Sequence, residues 1–194
     1  MKTIESLPPL PYQVNDAVMA KAKKVKLALF DVDGVLTDGT LHYSSDGEQI
    51  KVFHALDGHG LKMLQAAGID VGVISARKSG ALQTRLNDLG IKHCYLGIND
   101  KLSVFENLIT ELGLSGEDCA FTGDDVIDLA VMQQCGLKFS VQNGHFIVKE
   151  IADWVAPIQG GNGAVRAICD ILLYSQDNYP LNITKLPENK HSTQ

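Results

Sequence analysis

Two carboxylates two residues apart, Asp31 and Asp33, close the apolar run from Val25 to Phe30. Side chains two apart on an extended segment point the same way, so this pair repels itself unless a cation sits nearby. Mg2+, a hard cation that takes oxygen ligands and keeps several waters, would remove that repulsion. An acidic turn ending at Gly34 is the alternative, since Asp and Gly are both common in turns. Further along stand Ser75 with Arg77, then Lys101, then Gly123-Asp124-Asp125 with Asp128 one helical turn on. Most of these have an ordinary explanation taken singly: Asp124 or Asp125 can cap a helix, and Ser75 can be a strand-end hydroxyl. Lys101 does not, because a cation in a first helical turn opposes the helix dipole. Together the types suit phosphoryl transfer. An aspartate nucleophile can form an aspartyl-phosphate. A second acid two residues on can protonate the leaving alkoxide and later activate water. A lysine and a hydroxyl can hold the equatorial oxygens of an in-line transfer.

The elements that must position these groups alternate regularly. A weak helix over 14–24 precedes a strand at 25–31. The alternation of Leu41-His-Tyr and Ile50-Lys-Val-Phe-His around Ser44–Gly47 predicts a hairpin over 41–54. Strands at 69–75, 93–96, 119–122, 138–141 and 154–156 then alternate with helices at 59–67, 78–89, 101–112, 126–135, 145–151 and 164–174. A glycine closes four of these helices, at 68, 90, 113 and 136. Strand–helix alternation with short loops implies a parallel sheet with helices on both faces, and ligands bind such sheets outside the carboxyl ends of the strands. The hairpin breaks this pattern. Leu41, Tyr43, Val52 and Phe53 are too many apolar residues for a free ribbon, because two strands alone are marginal in water. These residues are therefore expected in an interface. Residues 1–12 read as an arm and 176–194 as a polar tail.

The 194 residues suffice for one domain with a sizeable core. A net charge of -6 argues against a nucleic-acid partner. It leaves room for a small phosphorylated anion, because local Lys, Arg and metal override the total. Cys94, Cys119, Cys135 and Cys169 form no C-x-x-C pair, which excludes zinc-site spacing and suits a reducing cytosol. No apolar run reaches the ~18 residues of a membrane span.

The motif D-x-D-G-V-L-T-D at 31–38, with Ser75, Lys101 and G-D-D-x-x-D at 123–128, resembles the haloacid dehalogenase superfamily of phosphotransferases. The resemblance implies Asp31 as nucleophile and Asp33 as general acid/base. It implies Mg2+ held by the Asp31 and Asp124 carboxylates and the Asp33 carbonyl. Ser75 and Lys101 would bind the phosphoryl group, with Asp125 and Asp128 supporting the metal site. Across about residues 12–175, the hairpin, F-x-x-x-D-G at 53–58, Arg77 and G-G-x-G-A-V-R at 160–166 are similar to the 3-deoxy-D-manno-octulosonate 8-phosphate phosphatase family. That likeness implies a Rossmann-like three-layer α/β sandwich without a cap, one domain over 1–194, and a cytoplasmic enzyme of lipopolysaccharide synthesis. It further implies a homotetramer whose hairpins meet, in a family whose C-terminal tail can cover a neighbour's site. The implied substrate contacts are Asp33, His54, Asp57, Gly58, Lys62, Arg77, Arg85 and Lys101.

The chain departs from the family's usual segments in places. F-N-x-R-D-G becomes Phe53-His-Ala-Leu-Asp-Gly58, so Leu56 replaces an arginine. I-T-G-R becomes Ile74-Ser-Ala-Arg77, with Ala76, and G-R-G-A-V-R-E becomes Gly161-Asn-Gly-Ala-Val-Arg-Ala167, with Asn162. These changes touch groups that would read the sugar acid rather than the phosphate. The alternatives are a phosphatase for another, nine-carbon ulosonate phosphate, and a non-catalytic phosphosugar-binding protein on the same fold.

Overall fold

The computed structural model describes residues 7–45 and 47–179. Six parallel strands form the sheet: β1 (Leu27–Phe30), β4 (Asp70–Ser75), β5 (His93–Leu96), β6 (Cys119–Thr122), β7 (Leu137–Ser140) and β8 (Trp154–Val155). Their order is β5-β4-β1-β6-β7-β8. Strand β1 lies between β4 and β6, with Leu27 opposite Asp70 on one side and Cys119 on the other. Every residue of β1 is buried, as a continuous apolar run between two parallel neighbours requires. The chain winds one way from β1 through β4 to β5 and the other way from β6 to β8. The switch point therefore falls between β1 and β6, where open α/β sheets bind ligands.

Alternate side chains of β1 feed two cores. Ala28 and Phe30 join a cluster with α1 (Asp16–Ala22), α2 (Ala55–Ala66), α3 (Gly80–Leu89) and α7 (Ala164–Ser175). Leu27 and Leu29 join a second cluster with α4 (Lys101–Leu112), α5 (Leu129–Met132) and α6 (Phe146–Ile151). This is the expected three-layer α/β sandwich. Within the stretch read as an arm, Leu10 and Tyr12 pack on the first cluster, and Tyr12 meets Trp154 edge-on at 6.0 Å. Of the tail, Tyr179 takes a 3.0 Å hydrogen bond from Arg166, and 180–194 lie outside the described residues. Among the described residues no helix is long and apolar enough to cross a membrane.

Three expectations shift. The hairpin exists but is shorter, with β2 (His42–Ser44) antiparallel to β3 (Gly47–Ile50). Phe53 lies beyond it and packs on the core, while Tyr43, Ile50 and Val52 are exposed. Helix α2 starts at Ala55 rather than 59, directly after His54 in extended conformation. The helix expected over 126–135 is a 3-10 turn, Val126–Asp128, followed by the four residues of α5. The Asp128 carboxylate accepts from the amides of Asp124 at 3.0 Å and Asp125 at 3.3 Å, and that reciprocal cap winds the first turn tightly.

Candidate active site

The loop after β1 is bound to its neighbour from the start. Asp31 N–H continues the ladder to the Thr122 carbonyl at 3.0 Å. The amides of Val35, Leu36 and Thr37 then converge on the Val32 carbonyl, folding Asp33 and Gly34 over the end of the sheet. Gly34 has φ +102°, and a Cβ there would overlap the Asp124 carboxylate. The turn therefore brings its backbone against the side chain that follows β6. The buried Thr37 hydroxyl accepts from the amides of Gly34 and Gly39 at 3.4 and 3.3 Å.

Three carboxylates and one ammonium meet beneath this turn. Lys101 Nζ lies 2.7 Å from Asp31 Oδ1 and 2.7 Å from Asp128 Oδ1, and all three side chains are buried. The lysine that sits awkwardly in its own helix is thus held by two carboxylates from other elements. Burial lowers the Lys101 pKa, but Asp31 and Asp128 outweigh it and hold the group above its ordinary value. Asp128 spends one oxygen on Lys101 and the other on two backbone amides. Asp124 differs. Its Oδ1 is buried with no hydrogen-bond partner among the described residues. Burial first, then the charges of Asp31, Asp128 and Asp125, push its pKa up to about 8. Asp31 is pushed to about 6 by burial and by Asp128, against the pull of Lys101. Carboxylate oxygens of Asp31, Asp124 and Asp128 lie within 4.8 Å of one another. An excess of buried negative charge with one orphaned oxygen fits a hard divalent cation, for which such carboxylates are the natural ligands. Asp31 and Asp124 could hold it. Asp128, already saturated, supports Lys101 and the Asp124 backbone, and Asp125 caps the 3-10 turn through Val126 N–H at 2.7 Å.

Asp33 faces the other side of the turn. It forms an ion pair with Lys51, whose side chain is buried just past β3. Arg77 Nε stands 3.9 Å from Asp33 Oδ2, and Arg77 Nη1 donates to the Tyr43 hydroxyl at 2.8 Å. Ser75, buried at the end of β4, accepts from Arg77 N–H at 3.2 Å. Sequence reasoning missed Lys51, since nothing local to it marks its partner. It also gave Thr37 no role, although Thr37 stands within the motif at 31–38.

The remaining expected residues gather at α2. His54, Gly58 and Arg85 stay together: Arg85 Nη2 reaches the His54 carbonyl at 3.5 Å, and the guanidinium lies where a side chain on Gly58 would be. They line one cavity with Leu36 from the turn after Asp33, so this group adjoins the rim. His54 Nδ1 is buried without a hydrogen-bond partner among the described residues. Lys62 follows Gly58 by one turn of α2 and is half-buried. Asp57, also expected among the substrate contacts, lines the same cavity and is tied to α7. Its carboxylate accepts from Gly163 N–H at 3.2 Å and Arg166 N–H at 2.7 Å, an acid at a helix N-terminus where the dipole favours it. Burial raises its pKa.

A 3-deoxy-D-manno-octulosonate 8-phosphate phosphatase of Escherichia coli (strain B / BL21-DE3) is 41% identical over 163 residues, spanning 84% of this chain and 87% of the relative. The chain belongs to the 3-deoxy-D-manno-octulosonate 8-phosphate phosphatase family. A family profile for haloacid dehalogenase-like hydrolases also matches residues 98–168. The Yersinia pestis phosphatase of this family superposes with a TM-score of 0.83 at 41% identity, covering 85% of this chain and 89% of that one. The Moraxella catarrhalis phosphatase, solved with a magnesium ion, a phosphate ion and a KDO molecule, gives 0.83 at 38% identity, covering 88% and 98%. The octulosonate phosphatase fold is thus shared across nearly the whole described chain.

Proposed function

We propose that this chain is a Mg2+-dependent phosphatase that hydrolyses 3-deoxy-D-manno-octulosonate 8-phosphate to the octulosonate and inorganic phosphate, in lipopolysaccharide synthesis. The observation that carries the chemistry is the pair Asp31 and Asp124. They follow adjacent strands at the switch point, one tied to Lys101 and the other with a buried, orphaned oxygen. Asp33 and Ser75 stand at the same rim, and the family relatives supply the substrate.

Each residue's part follows from its place. Asp31 attacks phosphorus, and its carboxylate becomes an aspartyl-phosphate as the bond to the sugar oxygen breaks. Asp33 gives that oxygen a proton, then takes one from the water whose oxygen displaces Asp31 from phosphorus. Lys101 and Ser75 hold the non-bridging oxygens, and Asp128 fixes Lys101. Asp31, Asp124 and the Asp33 carbonyl would hold Mg2+, which would supply the positive charge that offsets the repulsion between nucleophile and phosphate. Arg77, Arg85, Lys62 and His54 face the sugar acid, whose carboxylate needs a cation now that position 56 is an exposed leucine.

The same reading makes 1–194 a single domain and the enzyme a cytoplasmic homotetramer. The exposed Tyr43, Ile50 and Val52 support hairpin-mediated assembly. The four unpaired cysteines support a reducing compartment. Phosphate release across a panel of sugar-acid phosphates, with Mg2+ and with chelator, tests the proposal. The eight-carbon substrate should lead. Preference for a nine-carbon ulosonate phosphate would move the substrate, a change the loss of arginine at Leu56 would explain. Turnover of none would leave a binding protein.

A further inference from the structure

The hairpin and the residue after it meet the rim at Asp33 and Arg77. Lys51, directly after β3, puts its ammonium on Asp33 Oδ1, and its side chain is 2% exposed. Burying a lysine on a carboxylate at a reactive rim is costly unless the pairing is close. From the other strand, Tyr43 holds Arg77, whose Nε stands 3.9 Å from the second oxygen, Oδ2. Asp33 is therefore gripped by one oxygen through Lys51, while the other faces a more distant, half-exposed guanidinium.

We infer that Lys51 is a positioning residue that holds the Asp33 carboxyl by one oxygen so that the other reaches the leaving oxygen and then the attacking water. This rests on Asp33 being the acid and base of the reaction. In the first half, the bond from phosphorus to the sugar oxygen breaks as Asp33 delivers its proton to that oxygen. In the second half, water loses a proton to Asp33 as its oxygen bonds to phosphorus and the bond to Asp31 breaks. A misplaced Asp33 slows both halves for a sugar phosphate, whose alkoxide leaves poorly. For p-nitrophenyl phosphate it slows only the second half, because nitrophenolate departs without a proton.

The test is transient and steady-state kinetics of K51M with both substrates and Mg2+. With the aryl phosphate, K51M is expected to show a burst of nitrophenolate. The first turnover should stay within about 3-fold of wild type, and later turnovers should slow by about 10- to 100-fold. With the sugar-acid phosphate, kcat should fall by a similar factor, KM should change little, and no burst should appear. K51R should recover most of the loss. K51Q keeps a donor without the charge and should show a smaller burst, which preserves the test should K51M fail to fold. Equal losses in both phases, an effect on KM alone, or wild-type kinetics in the folded variants would overturn the assignment. D33N separates the two levels. A D33N enzyme without the burst signature refutes the role of Asp33, whereas the signature in D33N but not in K51M refutes Lys51 alone.

Discussion

The rim beneath β1 and β6 and the hairpin β2–β3 are built in opposite ways. At the rim, ionised groups are buried and almost all are paired within the chain: Lys101 with Asp31 and Asp128, Asp128 with two amides, Asp57 with α7. The hairpin exposes Tyr43, Ile50 and Val52 and meets the body chiefly through polar tips, Lys51 on Asp33 and Tyr43 on Arg77. The rim is an interior whose carboxylates suit a cation. The hairpin is an exposed apolar surface, which supports the proposed assembly with another copy.

The largest effect that would break this contrast is at the nucleophile. Asp31→Asn is expected to remove phosphatase activity by ~1,000-fold or more while circular dichroism stays native, since the amide is nearly isosteric but a poor nucleophile. Lys101→Met leaves Asp31 and Asp128 buried without their shared counter-charge. It should cost on the order of 3–5 kcal/mol in urea unfolding as well as activity. Metal removal sharpens the difference. EDTA should abolish turnover and calcium should inhibit it, as calcium takes more and longer contacts. The metal-free protein should also respond to pH. Asp31 and Asp124 have folded-state values of about 6 and about 8, above the ordinary ~4 of an unfolded aspartate. Each binds its proton more tightly when folded, so stability is full at low pH and falls as pH rises toward 8. Melting of the metal-free protein should show a loss on the order of 1–3 kcal/mol, and Asp124→Asn should flatten the curve. A metal-free protein more stable at pH 8 than at pH 5 would contradict the site.

Smaller effects belong to the hairpin side. Arg77→Lys should lower kcat/KM for the sugar-acid phosphate by roughly 10- to 100-fold and spare an aryl phosphate, because lysine cannot copy a bidentate contact. Equal losses would place Arg77 at the phosphate. Val52→Asp should shift sedimentation toward smaller species with less than ~0.5 kcal/mol change in subunit stability. Unchanged sedimentation would remove Val52 from the interface.

What was legible in the sequence follows the same division. Strands 93–96 and 119–122 and helix 101–112 have the expected limits, because unbroken apolar runs and terminal glycines are local signals. The rim residues were legible as a motif because each ends a strand or opens a helix. The start of α2 was not, since the alternation through Val52 and Phe53 continues past the real end of β3. The break of the 126–135 helix was hidden because it answers to the Asp128 cap and not to apolar spacing. Lys51 and Asp57 find partners 18 and 106 residues away, and no periodicity carries such information.

Asp31 is expected to become covalently phosphorylated during turnover. Borohydride reduction of the enzyme, quenched during turnover with Mg2+ and the sugar-acid phosphate, followed by peptide mass spectrometry, tests it directly. The expected result is conversion of residue 31 alone from aspartate to homoserine, dependent on substrate and Mg2+. Reduction at another carboxylate, or turnover without any trapped residue, would contradict the assignment.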